Sequence, residues 1–226
     1  MPAHLLMTLV LVAPVLAADG ARPAPTAPVT AADGAARNSA PPATSLDAIS
    51  RALAAAPAWR AGFVQRYLPS GFDEGTSDEG TVVIEAPAKL RFDYAAPDVR
   101  TFAVDGSVAR HLDPAGGTCD AVRLDSGVWS RLPLAAILDP GATRDSFAVA
   151  SEGDTLRLVP RAVTAELAAI LLTAGQDGLP TRIVVIDGAG NRNEFAFSQW
   201  TRGPRSPATF FAPSLPGVRP CAPEQP

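Results

Sequence analysis

Between Gly80 and Pro114 the chain is broken four times by proline or glycine, at Ala86-Pro87, Ala96-Pro97-Asp98, Asp105-Gly106 and Asp113-Pro114. The stretches between the breaks are Thr81 to Ile84, Lys89 to Tyr94, Val99 to Val104 and Val108 to Leu112. Each is too short for a stable helix and rich in β-branched or aromatic residues, a pattern that predicts a four-stranded antiparallel meander. In the second stretch Leu90, Phe92 and Tyr94 alternate with Lys89, Arg91 and Asp93. Alternation of this kind puts an apolar set on one face of a sheet and a charged set in water. Asp105-Gly106 supplies the positive-φ residue of a tight hairpin. The rest of the chain has to cover a curved sheet with one apolar face.

The flanking sequence extends the same plan. Ser45 is an N-cap signal with Asp47 in the first turn, and Leu46, Ile49 and Leu53 recur at helical spacing before Pro57. Strands are expected at Trp59 to Leu68, Thr118 to Leu124, Ser146 to Ala150, Thr155 to Val159, Leu179 to Ile186, Asn193 to Trp200 and Thr209 to Phe211. Glu166 to Thr173 is open between helix and strand. The stretch Gly71 to Glu79 reads as a turn solvated by Asp73, Glu74, Asp78 and Glu79. Pro133 suits a first helical position, Leu134, Ile137 and Leu138 share one face, and Asp139-Pro140-Gly141 is a stop. These residues predict a short helix with an apolar stripe. The expected fold class is α+β, mainly β, with about ten or eleven strands, two helices and no internal repeat.

Residues 1–17 read as a signal peptide, with an apolar core at Leu5 to Val12 and small residues at Val15-Leu16-Ala17. That core is well short of the ~20 residues of a membrane span, and no cysteine follows it to take a lipid. Residues 18–44 are dominated by Ala, Pro, Thr and Gly and are expected to form a disordered tether. Residues 45–221 hold the folded domain and 222–226 a tail. Export would place Cys119 and Cys221 in an oxidising compartment, where such a pair commonly forms a bridge; two unpaired thiols are the other reading. Closing a loop of roughly 100 residues would contribute about 4–5 kcal/mol in the chain-entropy picture. The net charge of −4 is spread without a basic block, which argues against nucleic acid as a partner.

Catalytic chemistry is sparse. His111 is the one histidine beyond the leader, in a strand between Arg110 and Leu112, where an ordinary surface or edge role is expected. No His, Cys and carboxylate spacing matches a metal site, no serine sits in a nucleophile elbow, and no phosphate loop or cofactor motif is present. What the sequence does offer is apolar surface. Val82, Ile84, Leu90, Phe92, Phe102 and Val104 fall on one face of the meander. Periodicity alone leaves two readings: a plain core packed against the helices, the common fate of such a face, or the lining of a cavity.

The chain resembles the LolA-type periplasmic lipoprotein carriers. The likeness runs through Phe63 and Gln65, Gly80, Pro87, Leu90-Arg91-Phe92, Tyr94, Pro97, Asp105-Gly106 and Asp113-Pro114. It ends with Phe210-Phe211-Ala212-Pro213 and Gly217-Val218. The resemblance implies an unclosed antiparallel β-barrel of about eleven strands, with an N-terminal helix and a short helical lid over an apolar cavity. Its cargo would be the acyl chains of a lipoprotein or another lipid, bound by Val82, Ile84, Leu90, Phe92, Phe102, Val104, Leu134, Ile137 and Leu138. It further implies a monomer in the periplasm, loaded by inner-membrane export machinery and emptied by an outer-membrane receptor. One departure concerns the lid: the resembling carriers have an arginine before the proline at Pro87, where this chain has Ala86. A non-catalytic envelope module that binds a protein or senses lipid, and an exported hydrolase, are the other readings.

Overall fold

The computed structural model describes residues 44–124, 135–162, 165–215, 221 and 223. The leader, the tether before Thr44, Leu134 and nearly all of the tail lie outside the described residues. The elements in chain order are α1 (Leu46–Ala54), β1 (Ala58–Leu68), β2 (Thr76–Glu85), β3 (Lys89–Ala96), β4 (Arg100–Val104), β5 (Val108–Asp113) and β6 (Thr118–Arg123). They continue with α2 (Ala135–Leu138), α3 (Pro140–Ser146), β7 (Phe147–Glu152), β8 (Thr155–Pro160), β9 (Ala169–Ala174), β10 (Pro180–Ile186), β11 (Arg192–Gly203) and a 3-10 helix (Ala208–Phe211). All eleven strands form one antiparallel sheet, ordered β6-β5-β4-β3-β2-β1-β11-β10-β9-β8-β7. The sheet ends at β6 and β7 and does not close into a barrel.

The register explains why one face is apolar. Trp59, Ile84, Leu90, Val104 and Ala109 lie side by side across β1 to β5, and Ala61, Val82, Phe92, Phe102 and His111 form the next row. Because the pleat has a period of two, a slip of one residue would turn every one of these side chains outward. The β4–β5 hairpin turns at Gly106, whose φ of 103° is open to glycine. Inside the face, helix α1 is capped by the Ser45 side chain, which accepts from the Ala48 amide at 3.2 Å, a contact worth ~1 kcal/mol. Its Leu46, Ile49 and Leu53 join Ile137 and Leu138 of α2 and the inner face in one buried cluster.

The outer face is not left to water, contrary to the alternation read in β3. Ala58, Val83, Ala103, Val108 and Leu112 point away from the helices and are nevertheless buried. The segment after β11 crosses this side. Its Ser206 amide donates to the Glu85 carboxylate at 2.5 Å, and its Ser206 hydroxyl accepts from Arg60 at 3.2 Å. The Phe210 carbonyl accepts from Arg91 at 2.7 Å, and the same guanidinium lies 4.4 Å from the Phe210 ring centre. Phe211 is completely buried, so the run expected as a last strand is a 3-10 helix that drives a phenylalanine into the back of the sheet. Farther on, Cys221 is joined by a disulfide to Cys119 of edge strand β6, with 5.5 Å between their α-carbons.

Two local expectations change. Thr76 to Glu79 is strand rather than turn, and Asp78 is buried at an ion pair with Arg100 instead of solvating a loop. Asp139-Pro140-Gly141 does end α2, but it also begins α3. The Asp139 carboxylate accepts from the Ala142 amide at 3.0 Å, and Pro140 takes the first helical position.

Candidate functional site

The six meander residues expected to share a face do so. Val82, Ile84, Leu90, Phe92, Phe102 and Val104 are all buried in the main cluster, with Ile137 and Leu138 of α2 over them. Both of these lid residues therefore belong to the same cluster as the set that the sequence pattern singles out. At the centre of the face the aromatic rings pack edge to face. Phe63 stands 5.0 Å from both Phe92 and Tyr94 at interplanar angles of 82° and 83°, and Phe92 lies 5.8 Å from Phe195. Such pairs contribute roughly 0.5–1.5 kcal/mol beyond the area they bury. Gly80 makes the arrangement possible, since a β-carbon there would come within 2.9 Å of the Phe63 ring.

Towards the end away from Trp59 and α1, polar side chains interrupt the inner face on β1, β3 and β11, while Phe195, Val185 and Ile170 keep it apolar beside them. Two residues past Phe63 on β1, the Gln65 carbonyl accepts from the Tyr94 hydroxyl at 2.7 Å. The Gln65 amide then donates to the Asn193 carbonyl oxygen at 2.8 Å. All three residues are buried, Asn193 completely. Arg100 closes this end, 4.0 Å from the centre of the Tyr94 ring and 3.1 Å from Asp78. Burial drives the Tyr94 phenol well above its ordinary range, and the nearby Arg100 charge only partly opposes that. Sequence reading missed this layer as a unit. Its one local signal is Gln65, a polar side chain at an inward position of an otherwise apolar alternation.

The lid is tied at its rim. Arg144 of α3 donates to Asp47 of α1 at 2.6 Å, and Thr44 donates to the Asp154 carbonyl at 2.8 Å. Trp59 anchors the other end of α1 through a 3.0 Å bond from its indole nitrogen to the Leu53 carbonyl. Ala86 lies partly buried against the cluster. Arg91, five residues on, faces outward, where its guanidinium holds Asp93 and the Phe210 carbonyl. His111 is half-buried on the inner face, opposite Phe102 on one strand and Asp120 on the next. Burial, and then the charge of Arg100, keep its imidazole below the ordinary histidine range. No helix among the described residues is long and apolar enough to cross a membrane.

An open sheet whose apolar inner face is roofed by short helices defines a lidded half-barrel. Residues 55–214 match the family described as outer membrane lipoprotein carrier protein LolA, and the chain belongs to that family. It is 28% identical over 156 residues to an outer-membrane lipoprotein carrier protein of Xanthomonas campestris pv. campestris, covering 66% of this chain and 74% of the relative. With the carrier protein of Photobacterium profundum the identity is 24% over 166 residues, 73% of this chain and 83% of the relative. Among solved structures, a LolA superfamily protein from Nitrosomonas europaea is similar with a TM-score of 0.45 and 12% identity, covering 74% of this chain and 94% of that one.

Proposed function

We propose that the protein is a periplasmic carrier that shields the acyl chains of a lipoprotein, or of another lipid, on their way towards the outer membrane. The observation that carries this reading is the continuous apolar face from Trp59 to Phe197, roofed by helices of nine, four and seven residues. Helices this short depend on tertiary contacts rather than on their own propensity, so a ligand that offers equivalent apolar contacts can displace them. A carrier of this kind answers a definite energetic need. At about 0.8 kcal/mol per methylene, a sixteen-carbon chain in water costs on the order of 12 kcal/mol. Escape into water is equally unfavourable, so cargo passes by direct handover from an inner-membrane donor to an outer-membrane receptor, and the carrier acts as a monomer. Val82, Ile84, Leu90, Phe92, Phe102 and Val104 line the bound chain, and Leu134, Ile137 and Leu138 leave to admit it.

Titration with a fluorescent fatty-acyl probe tests the reading. Wild-type protein binds it, whereas Phe92→Asp, which sets a charge against the chain, does not. Lipid mass spectrometry of an organic extract of the purified protein identifies the natural cargo. If folded wild-type protein binds no acyl probe and yields no lipid, the carrier reading fails and a protein-binding envelope module replaces it.

A further inference from the structure

We infer that the hydrogen-bonded layer of Tyr94, Gln65 and Asn193 is the floor of the acyl compartment and sets the length of chain the protein accepts. The inference rests on the carrier reading and adds a selectivity to it. A chain that displaces α1 and α2 lies first against Trp59, Ile84 and Leu90, then against Val82 and Phe92, and next meets Phe63 and Tyr94, in the order given by the strand register. Up to that point every side chain it touches is apolar apart from the tip of Tyr94. One row farther on stands Gln65, opposite Phe195, and Asn193 lies diagonally across on β11, one row beyond; the two are buried and mutually bonded at 2.8 Å, with Tyr94 bonded to Gln65 at 2.7 Å.

An alkyl chain cannot replace any of these bonds. To pass, it would have to part the Tyr94–Gln65 or Gln65–Asn193 pair, and the loss of a buried hydrogen bond that hydrocarbon cannot replace offsets the burial of a few methylenes. Beside the layer, in the same rows of the sheet, the Arg100–Asp78 ion pair at 3.1 Å and the Arg100 guanidinium over the Tyr94 ring brace it laterally. The aromatic rings in front fix the phenol in place, since Phe63 packs edge-on against Tyr94 at 5.0 Å. The layer therefore acts as a wall and not as one face of a soft, adaptable core. The site selects a straight-chain acyl group of limited length, with its polar head towards the α1 end.

A chain-length series tests this. Saturated fatty acids of increasing length displace the fluorescent acyl probe from wild-type protein and from the Gln65→Met/Tyr94→Phe double variant, after near-ultraviolet circular dichroism has shown both to be packed. In the wild type, affinity rises about fourfold per added methylene until the chain reaches the floor, then stays level. In the double variant, short chains bind as they do to the wild type, and the fourfold steps continue to longer chains. The gain in depth is one row of the sheet, about 7 Å for two residues of strand. A levelling point that does not move in the folded double variant, or the lack of any levelling in the wild type, overturns the inference and leaves the carrier reading intact. If no fatty acid of any length displaces the probe because the probe itself does not bind, both fall. Should the double variant not fold, Tyr94→Phe alone shifts the levelling point in the same direction, and an unmoved point there counts equally against the floor.

Discussion

Asp47 of α1 and Arg144 of α3 are joined by a 2.6 Å ion pair that bridges the two helices across the lid. The family resemblance leads one to expect an arginine tie at Ala86, where only a methyl group packs on the core. Here the guanidinium comes from the lid side instead and reaches the first turn of α1. The hydrogen bond from Arg144, joined by the Arg144 and Arg51 charges, holds the Asp47 carboxyl below its ordinary value against the opposing effect of burial. A depressed carboxylate contributes above its ordinary value and loses that contribution as pH falls through the lowered one. The pair is half-exposed, so its effect is modest and weakened by salt. Arg144→Ala is expected to speed acyl-probe uptake in stopped-flow measurements. Raising the salt concentration should speed the wild type towards the variant while leaving the variant itself unchanged. Equal rates in low salt would show that this pair does not latch the lid.

Ile137 is completely buried on the inner side of the lid, and replacing it separates stability from function. Truncating a buried residue of this size costs about 2–5 kcal/mol. Ile137→Ala should therefore lower the thermal midpoint and at the same time tighten acyl-probe binding, because cargo competes with fewer lid contacts. A fall in both midpoint and affinity would mean that Ile137 belongs to the binding surface and not to a displaceable cover.

The Cys119–Cys221 bridge closes a sequence separation of 102 residues. Thiol labelling of denatured, non-reduced protein is expected to find no free cysteine. Cys221→Ser should lose up to about 4–5 kcal/mol in chemical denaturation, and the reductant dependence of the wild-type midpoint should vanish in the variant. A wild-type midpoint unmoved by reductant would show that the tail adds nothing to stability.

Asp105 holds the β4–β5 hairpin together. Burial on its own would raise its pKa, but Arg110 at 2.6 Å, the Ser107 and Val108 amides and the Ser107 hydroxyl outweigh that and lower it to about 2. The stability this carboxylate contributes is complete above its ordinary value near 3.8 and is lost as pH falls towards about 2. In Asp105→Asn that part of the acid sensitivity disappears, along with some stability at neutral pH. A carboxyl resonance for Asp105 that titrates near its ordinary value of 3.8 would contradict the bonding described.

The meander was legible because each of its signals is local. Leu90, Phe92 and Tyr94 alternate within one strand, and the Pro and Gly breaks sit between strands, so residues a few positions apart decide the outcome. The polar floor was not legible, because the Gln65–Asn193 bond joins residues 128 positions apart. Nothing around Gln65 says that its partner will arrive from β11. Asp78 shows the same limit: its acidic surroundings read as a solvated turn until Arg100, 22 residues on, is brought beside it. Asp139-Pro140-Gly141 is ambiguous for a different reason, since the residues that end one helix also cap the next. Phe210 and Phe211 carry the composition of a strand. The outer face of the sheet decides their conformation, and no sequence window contains that face.

The segment after β11 is fastened to Glu85 of β2, to Arg91 of β3 and to Cys119 of β6. The two lips of the open sheet are therefore mechanically unequal. The β6 lip carries the disulfide to Cys221. The β7 lip pairs with β8 and continues directly from α3, with Ser146 and Phe147 adjacent in the chain. An outward swing of α3 would therefore pull on β7, which is paired on one side only, and under the carrier reading cargo would be expected to enter past the β7 edge.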